Sequence, residues 1–168
     1  MKTLLRIVIA SLFIAASAGG LSAAPSSSDV DQLLKAYYEI QQGLADDSLK
    51  AGKSAAAALS KHNAAPAELA TAAAAVANAP DIKAARDHFQ PLSQQMQALV
   101  ESVGVSSGSV YVARCPMAFG GKGGTWLQND KTIANPYYGS SMLRCGSVIQ
   151  ELGSGASAVQ PGDMHGTH

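Results

Sequence analysis

Residues 115–146 read CPMAFGGKGGTWLQNDKTIANPYYGSSMLRCG. How this loop-rich stretch is read decides how the chain ends, because everything upstream has the spacing of helices. The stretch holds both cysteines of the protein, Cys115 and Cys145, and its one tryptophan, Trp126. Each cysteine has a methionine on its inner side, Met117 two residues after the first and Met142 three residues before the second. Two thiols and two thioethers in one segment form a donor set suited to Cu(I) or Ag(I), which prefer polarizable sulfur to oxygen. A zinc site would ordinarily draw on more Cys or His ligands. The same thiols, in an oxidising compartment, are equally the material of one disulfide. A Cys115–Cys145 bridge would close a loop of about 31 residues, contributing about 3–4 kcal/mol by restricting the unfolded chain. Metal site and bridge are both open readings, and they can alternate.

Immediately upstream, SVYVA at 109–113 alternates and is β-branched, which predicts a short strand leading into Cys115. Thr125-Trp126-Leu127 is a candidate partner for it. Asn135-Pro136-Tyr137-Tyr138-Gly139 reads as a turn. After it, Ser140 or Ser141 is placed to cap a short helix carrying Met142 and Cys145 on one face, since positions three apart meet on a helix. Trp126 is expected to pack beneath the loop. The alternative roles are a ring face over a bound cation, or a docking surface shared with Tyr137.

Farther upstream the period is helical. Val30, Leu33, Leu34, Tyr37, Ile40 and Leu44 recur at the three-four spacing of one buried face, with Ser28 or Asp29 as cap. A second helix is expected over about 47–62, capped by Asp46 or Asp47, with the small packing face Leu49, Gly52, Ala55, Ala56 and Leu59. An alanine-rich third helix follows from Pro66 to about residue 78. The fourth starts at Pro80-Asp81, carries Phe89, Leu92, Met96 and Leu99 on its stripe, and is expected to kink near 87–91 because Pro91 lies inside it. The fold class expected is therefore all-α: an antiparallel four-helix bundle, then a loop-rich Cys/Met segment (109–152) with short strands and a short C-terminal helix.

The two ends give compartment and accessory chemistry. Residues 1–24 have the form of a cleaved export signal, with Lys2 and Arg6, an apolar run over 7–16, and small residues at Ala16-Ser17-Ala18. That run is too short to span about 30 Å of hydrocarbon. The expectation is a periplasmic mature chain, not inserted in a membrane, forming one domain over 25–152 and a flexible tail over 153–168. The tail carries Met164, His165 and His168, a candidate secondary metal site. Twelve basic residues balance twelve acidic ones, so there is no charge excess for a nucleic-acid partner. No Cys-x-x-Cys redox motif and no hydrolase spacing occurs, so the expectation is a binding protein and not an enzyme.

The pattern Cys115-Pro116-Met117, Trp126-Leu127, Ile133-x-Asn135-Pro136-Tyr137-Tyr138-Gly139-x-x-Met142-x-x-Cys145-Gly146 resembles an uncharacterised exported domain. That domain occurs alone and as the C-terminal extension of CusB-like periplasmic adaptors of heavy-metal efflux pumps. Leu34-x-x-Tyr37, Gly43-Leu44-Ala45-Asp46-Asp47 and Phe89-x-Pro91-Leu92-Ser93 extend the resemblance over about 30–152. It implies an all-α bundle with a Cys/Met-bearing end. It also implies copper or silver handling, with a periplasmic heavy-metal efflux component as the partner and Cys115, Met117, Met142 and Cys145 as the ligands.

Overall fold

The computed structural model describes residues 24–153. The segment expected to be an export signal, but for Ala24, and the Met164/His165/His168 group lie outside the described residues.

Four helices form the N-terminal region as the spacing predicts. Helix α1 (Ser27–Ala45) buries Val30, Leu33, Leu34, Tyr37, Ile40 and Leu44. Its cap is Ser26, not Ser28 or Asp29. The Ser26 hydroxyl accepts from the Asp29 N–H, and the Asp29 carboxylate accepts from the Ser26 N–H. Helix α2 (Leu49–Ser60) is capped by Ser48, which frees Asp47 for another role. Helices α1 and α2 cross with their backbones nearly touching, because a Cβ on Gly43 would fall 2.7 Å from the Gly52 nitrogen. Helix α3 (Ala67–Ala77) follows, with Pro66 at its cap position. Helix α4 (Ile82–Val103) is capped by Asp81 and runs through Pro91 as one element. Consecutive helices pack on each other, and α4 returns to α1.

A sheet beyond α4 overturns the all-α expectation. Strand β1 (Ser109–Cys115) lies at the centre of a three-stranded antiparallel sheet, between β2 (Gly124–Gln128) and β3 (Ser147–Gly153). With the short turn α5 (Ala118–Gly121), the chain has five helices and a sheet among the described residues, a mixed α/β architecture. The β1–β2 pair matches the sequence reading, with Val112 opposite Leu127 and Ala113 opposite Trp126. Strand β3 has no counterpart in that reading. The short helix expected to carry Met142 and Cys145 is absent: a three-residue 3-10 turn, Gly139–Ser141, gives way at Met142 to φ −147°. The physical reason is competition for backbone bonds. The Leu143 carbonyl accepts from the Asn135 N–H and the Cys145 carbonyl from the Asn135 side chain, so the backbone that a helix here would use is bound to the covering segment.

The sheet is not an appendage. Val110, Val112, Trp126, Leu127 and Leu152 join the helices in one continuous core. Alternation along the strands separates Val110, Val112 and Leu127 from Ala113, Cys115 and Trp126 on the other face. Segment 129–146 covers that second face, with Tyr137 edge-on to Trp126 at 5.8 Å between ring centres.

The outer edge of β2 meets no strand, and side chains complete it. The Leu127 N–H donates to the Tyr37 hydroxyl (3.1 Å), which donates to Ser93 Oγ (2.7 Å), which donates to the Thr125 carbonyl (3.1 Å). The Tyr137 hydroxyl donates to the same carbonyl. Burial pushes the Tyr37 phenol far above its ordinary range, so it stays a neutral donor and acceptor. Among the described residues no buried side-chain nitrogen or oxygen lacks a partner. Tyr37→Phe strands the Leu127 N–H in the core and removes one of the two bonds to the Ser93 hydroxyl. The expected destabilisation is about 1–3 kcal/mol by urea unfolding; a loss too small to measure would mean that the edge is not sealed by these hydroxyls.

Candidate functional site

Cys115 is the last residue of β1, paired with Gly124 and 0% exposed. Cys145 is half-buried at the end of the covering segment, two residues before β3. The fold brings their sulfurs to 3.0 Å as free thiols.

Cys145 is held there by a chain of specific bonds. Buried Asn135 donates its side-chain N–H to the Cys145 carbonyl (2.8 Å) and its backbone N–H to the Leu143 carbonyl (2.9 Å). Its side-chain oxygen accepts from the Tyr137 N–H (2.9 Å). Next to it, the Pro136 carbonyl accepts from Arg86 Nε (3.0 Å). Arg86 also donates to the Leu44 carbonyl and to Asp47. Asp47 in turn accepts from the Ser140 N–H (3.0 Å). Gly139 completes the clamp at φ 58°, where a Cβ would collide with Asp47 and Arg86. Asn-Pro-Tyr-Tyr-Gly and the Asp47 turn thus fix the covering segment to the bundle, and through it the position of Cys145.

The other sulfur residues stand differently. Met117 follows Cys115 into the β1–β2 loop and is 55% exposed, with its carbonyl bound by the Tyr138 hydroxyl. Met142 is half-buried, and its carbonyl accepts from the Cys145 N–H, so the two share a turn rather than a helical face. The thiols are thus together, flanked along the chain by one exposed and one half-buried thioether. Among the described residues no group of three or more His, Cys, Asp or Glu converges. Any ion held here depends on the two thiols and on methionine.

Trp126 and Tyr137 do not form a surface. Trp126 is fully buried, its indole N–H bound by Gln128 (2.9 Å), and Tyr137 is buried between Phe89, Phe119 and Trp126. A cation–π contact occurs elsewhere, between Lys131 and the Tyr111 ring. The Cys145 thiol is pushed up, first by its hydrogen bond with Cys115 and then by desolvation.

Sequence reading missed Arg86, Asp47 in its clamping role, Ser93, and Asn135 as the anchor of Cys145. The one available signal was the Asn-Pro-Tyr-Tyr-Gly run, a rigid turn with a polar residue able to bond its own backbone.

A family model described as "Protein of unknown function (DUF3347)" matches residues 33–108. That span covers most of the helical region and stops just before β1, so both thiols lie downstream of it. No curated protein and no solved structure matches the chain.

Asp47 gives a pH test of the clamp. The Ser140 bond and then the Arg86 guanidinium hold its carboxyl at about 2, below the unfolded value of about 3.9. The stabilisation is therefore complete above about pH 4 and drains as pH falls toward 2. Urea midpoints of the wild type should fall across that window, and Asp47→Asn should flatten the fall; parallel curves would remove the clamp from the acid response.

Proposed function

We propose that the chain is an exported binding protein for a soft monovalent ion, Cu(I) or Ag(I), acting in the periplasm as scavenger or donor beside a heavy-metal efflux system. One observation carries this reading. The only two cysteines, thirty residues apart in sequence, meet with their sulfurs 3.0 Å apart. One sulfur is buried and the other is half-buried toward the surface. Paired thiolates suit such an ion, and thioethers stay available at every pH. Cys115 and Cys145 would hold the ion. Met117 and Met142, on the adjoining loops, would be the weak ligands released on transfer. An ion between the thiols requires the sulfurs to part, and Cys145, held by loop bonds and not by a strand ladder, is the one that would yield. The resemblance to the extension of CusB-like adaptors supports the efflux setting, and the character of residues 1–24 supports export.

The rival reading is a metal-free module for binding another protein, stapled by a Cys115–Cys145 disulfide. The same 3.0 Å contact favours it. Burial of Trp126 and Tyr137 removes the docking surface first expected for it.

A Cu(I) competition titration on the reduced mature chain separates them. One equivalent should bind and protect both thiols from alkylation. Cys145→Ser should weaken binding on the order of 100-fold or more, at or above the upper end of the range for loss of a supporting residue. No uptake by a folded, fully reduced chain would end the metal reading.

A further inference from the structure

The two thiols are close but unequal. Cys115 is fully buried at the end of the central strand and locked to Gly124. Cys145 is half-buried and follows a turn rather than a ladder, so of the two it is the residue with surface open to solvent. Thiol exchange requires approach to a sulfur as well as a thiolate, so the first encounter and the final closure fall to different residues. We infer that Cys115 and Cys145 form a reversible thiol–disulfide clasp, entered from outside at Cys145 and closed from within by Cys115, with a disulfide of a small thiol or an exposed protein disulfide as the oxidant.

The steps balance. The Cys145 thiolate attacks one sulfur of the external disulfide, forming a mixed disulfide and expelling one thiolate, which takes up a proton. The Cys115 thiolate then attacks Cys145 Sγ and expels the second external thiolate, which is also protonated. Two protein thiols lose two electrons and two protons. One external disulfide becomes two thiols. Reduction reverses the order, with the reductant attacking Cys145 and Cys115 leaving. The closed clasp has no thiolate to offer, so it excludes a soft metal ion; that consequence alone rests on the proposed metal reading.

The surroundings suit a clasp that opens without unfolding the sheet. The ladder ends at Arg114–Ser147 on the β3 side, so Cys145 lies beyond it. Closing from 3.0 Å needs about 1 Å of approach, given a disulfide bond of about 2.05 Å. Gly146, the next residue, lies against the Trp126 ring, so a shift at Cys145 reaches the sole tryptophan directly.

The test uses the full-length reduced chain. With limiting N-ethylmaleimide and peptide mass mapping, Cys145 should be labelled at least ~10-fold faster than Cys115, following exposure. Equal rates, or a faster Cys115, would overturn the entry assignment. With one equivalent of oxidised glutathione, a transient adduct on Cys145 should resolve to an internal bridge with release of two glutathione thiols. Trp126 emission should change in step, and dithiothreitol should restore it without denaturant. A persistent adduct, or a bridge that opens only in urea, would overturn reversibility. Cu(I) competition on both forms then isolates the metal question. Uptake by the reduced form alone is expected, and uptake by both forms overturns exclusion. Uptake by neither retires the metal reading, while labelling and exchange still decide the clasp.

Discussion

The structure depends on one exposed backbone edge being closed by side chains. A short antiparallel pair such as β1–β2 is marginal by itself and carries unpaired groups along its outer side. In this chain that side faces the helices, where water cannot satisfy it. Tyr37, from α1, supplies the acceptor that the Leu127 N–H lacks, and Ser93, from α4, the donor that the Thr125 carbonyl lacks. Two hydroxyls thus turn a liability into the joint between bundle and sheet. Tyr137 then donates to the same Thr125 carbonyl, and its ring stands between Phe89 and Trp126. The covering segment is therefore placed by the same edge, and with it the return of the chain to Cys145.

A second constraint acts at the other end of that segment. Arg86 gathers the Leu44 carbonyl, the Asp47 carboxylate and the Pro136 carbonyl, joining two stretches far apart in sequence. A guanidinium suits this task because its fixed fork of donors serves several acceptors at once. The ion pair is only partly shielded, so its worth lies in geometry more than in Coulomb energy. The consequence for function is subtractive. The most recognisable motif residues, Asn135 through Gly139 and Gly43 through Asp47, are occupied in holding the fold. The thiols and the side chains of Met117 and Met142 stand outside this clamp.

How far the sequence could carry the reading follows from where the determining forces lie. The α1 stripe from Val30 to Leu44 was legible because a buried helical face repeats locally. The β1–β2 pair was legible from Val110, Val112 and the Trp126-Leu127 run. Strand β3 was not. Its partner lies more than thirty residues earlier, most of its residues are exposed, and a bulge at Ile149 breaks the alternation that marks a strand. Met142 and Cys145 carry the spacing of a helical face, but three residues are also the span of a turn, and local spacing does not distinguish them. For the site, the sulfur residues could be listed from sequence. That Cys115 and Cys145 touch while Met117 stands in solvent is tertiary information. Tyr37 shows the same limit: its apolar ring was placed correctly on the stripe, while the role of its hydroxyl depends on a strand ninety residues away.

The unequal setting of the two thiols has one more consequence. A ligand, an oxidant or a partner that acts on this pair must move one side more than the other. Cys115 is tied to the strand at the centre of the core, and displacing it would disturb the β1–β2 ladder and the burial of Trp126 above it. Cys145 is tied through Asn135 to a segment that is itself fixed at only a few points, the Arg86 clamp and the Tyr137 hydroxyl among them. The energy of closing or parting the sulfurs is therefore taken up mainly in the covering segment, while the bundle and sheet keep their arrangement.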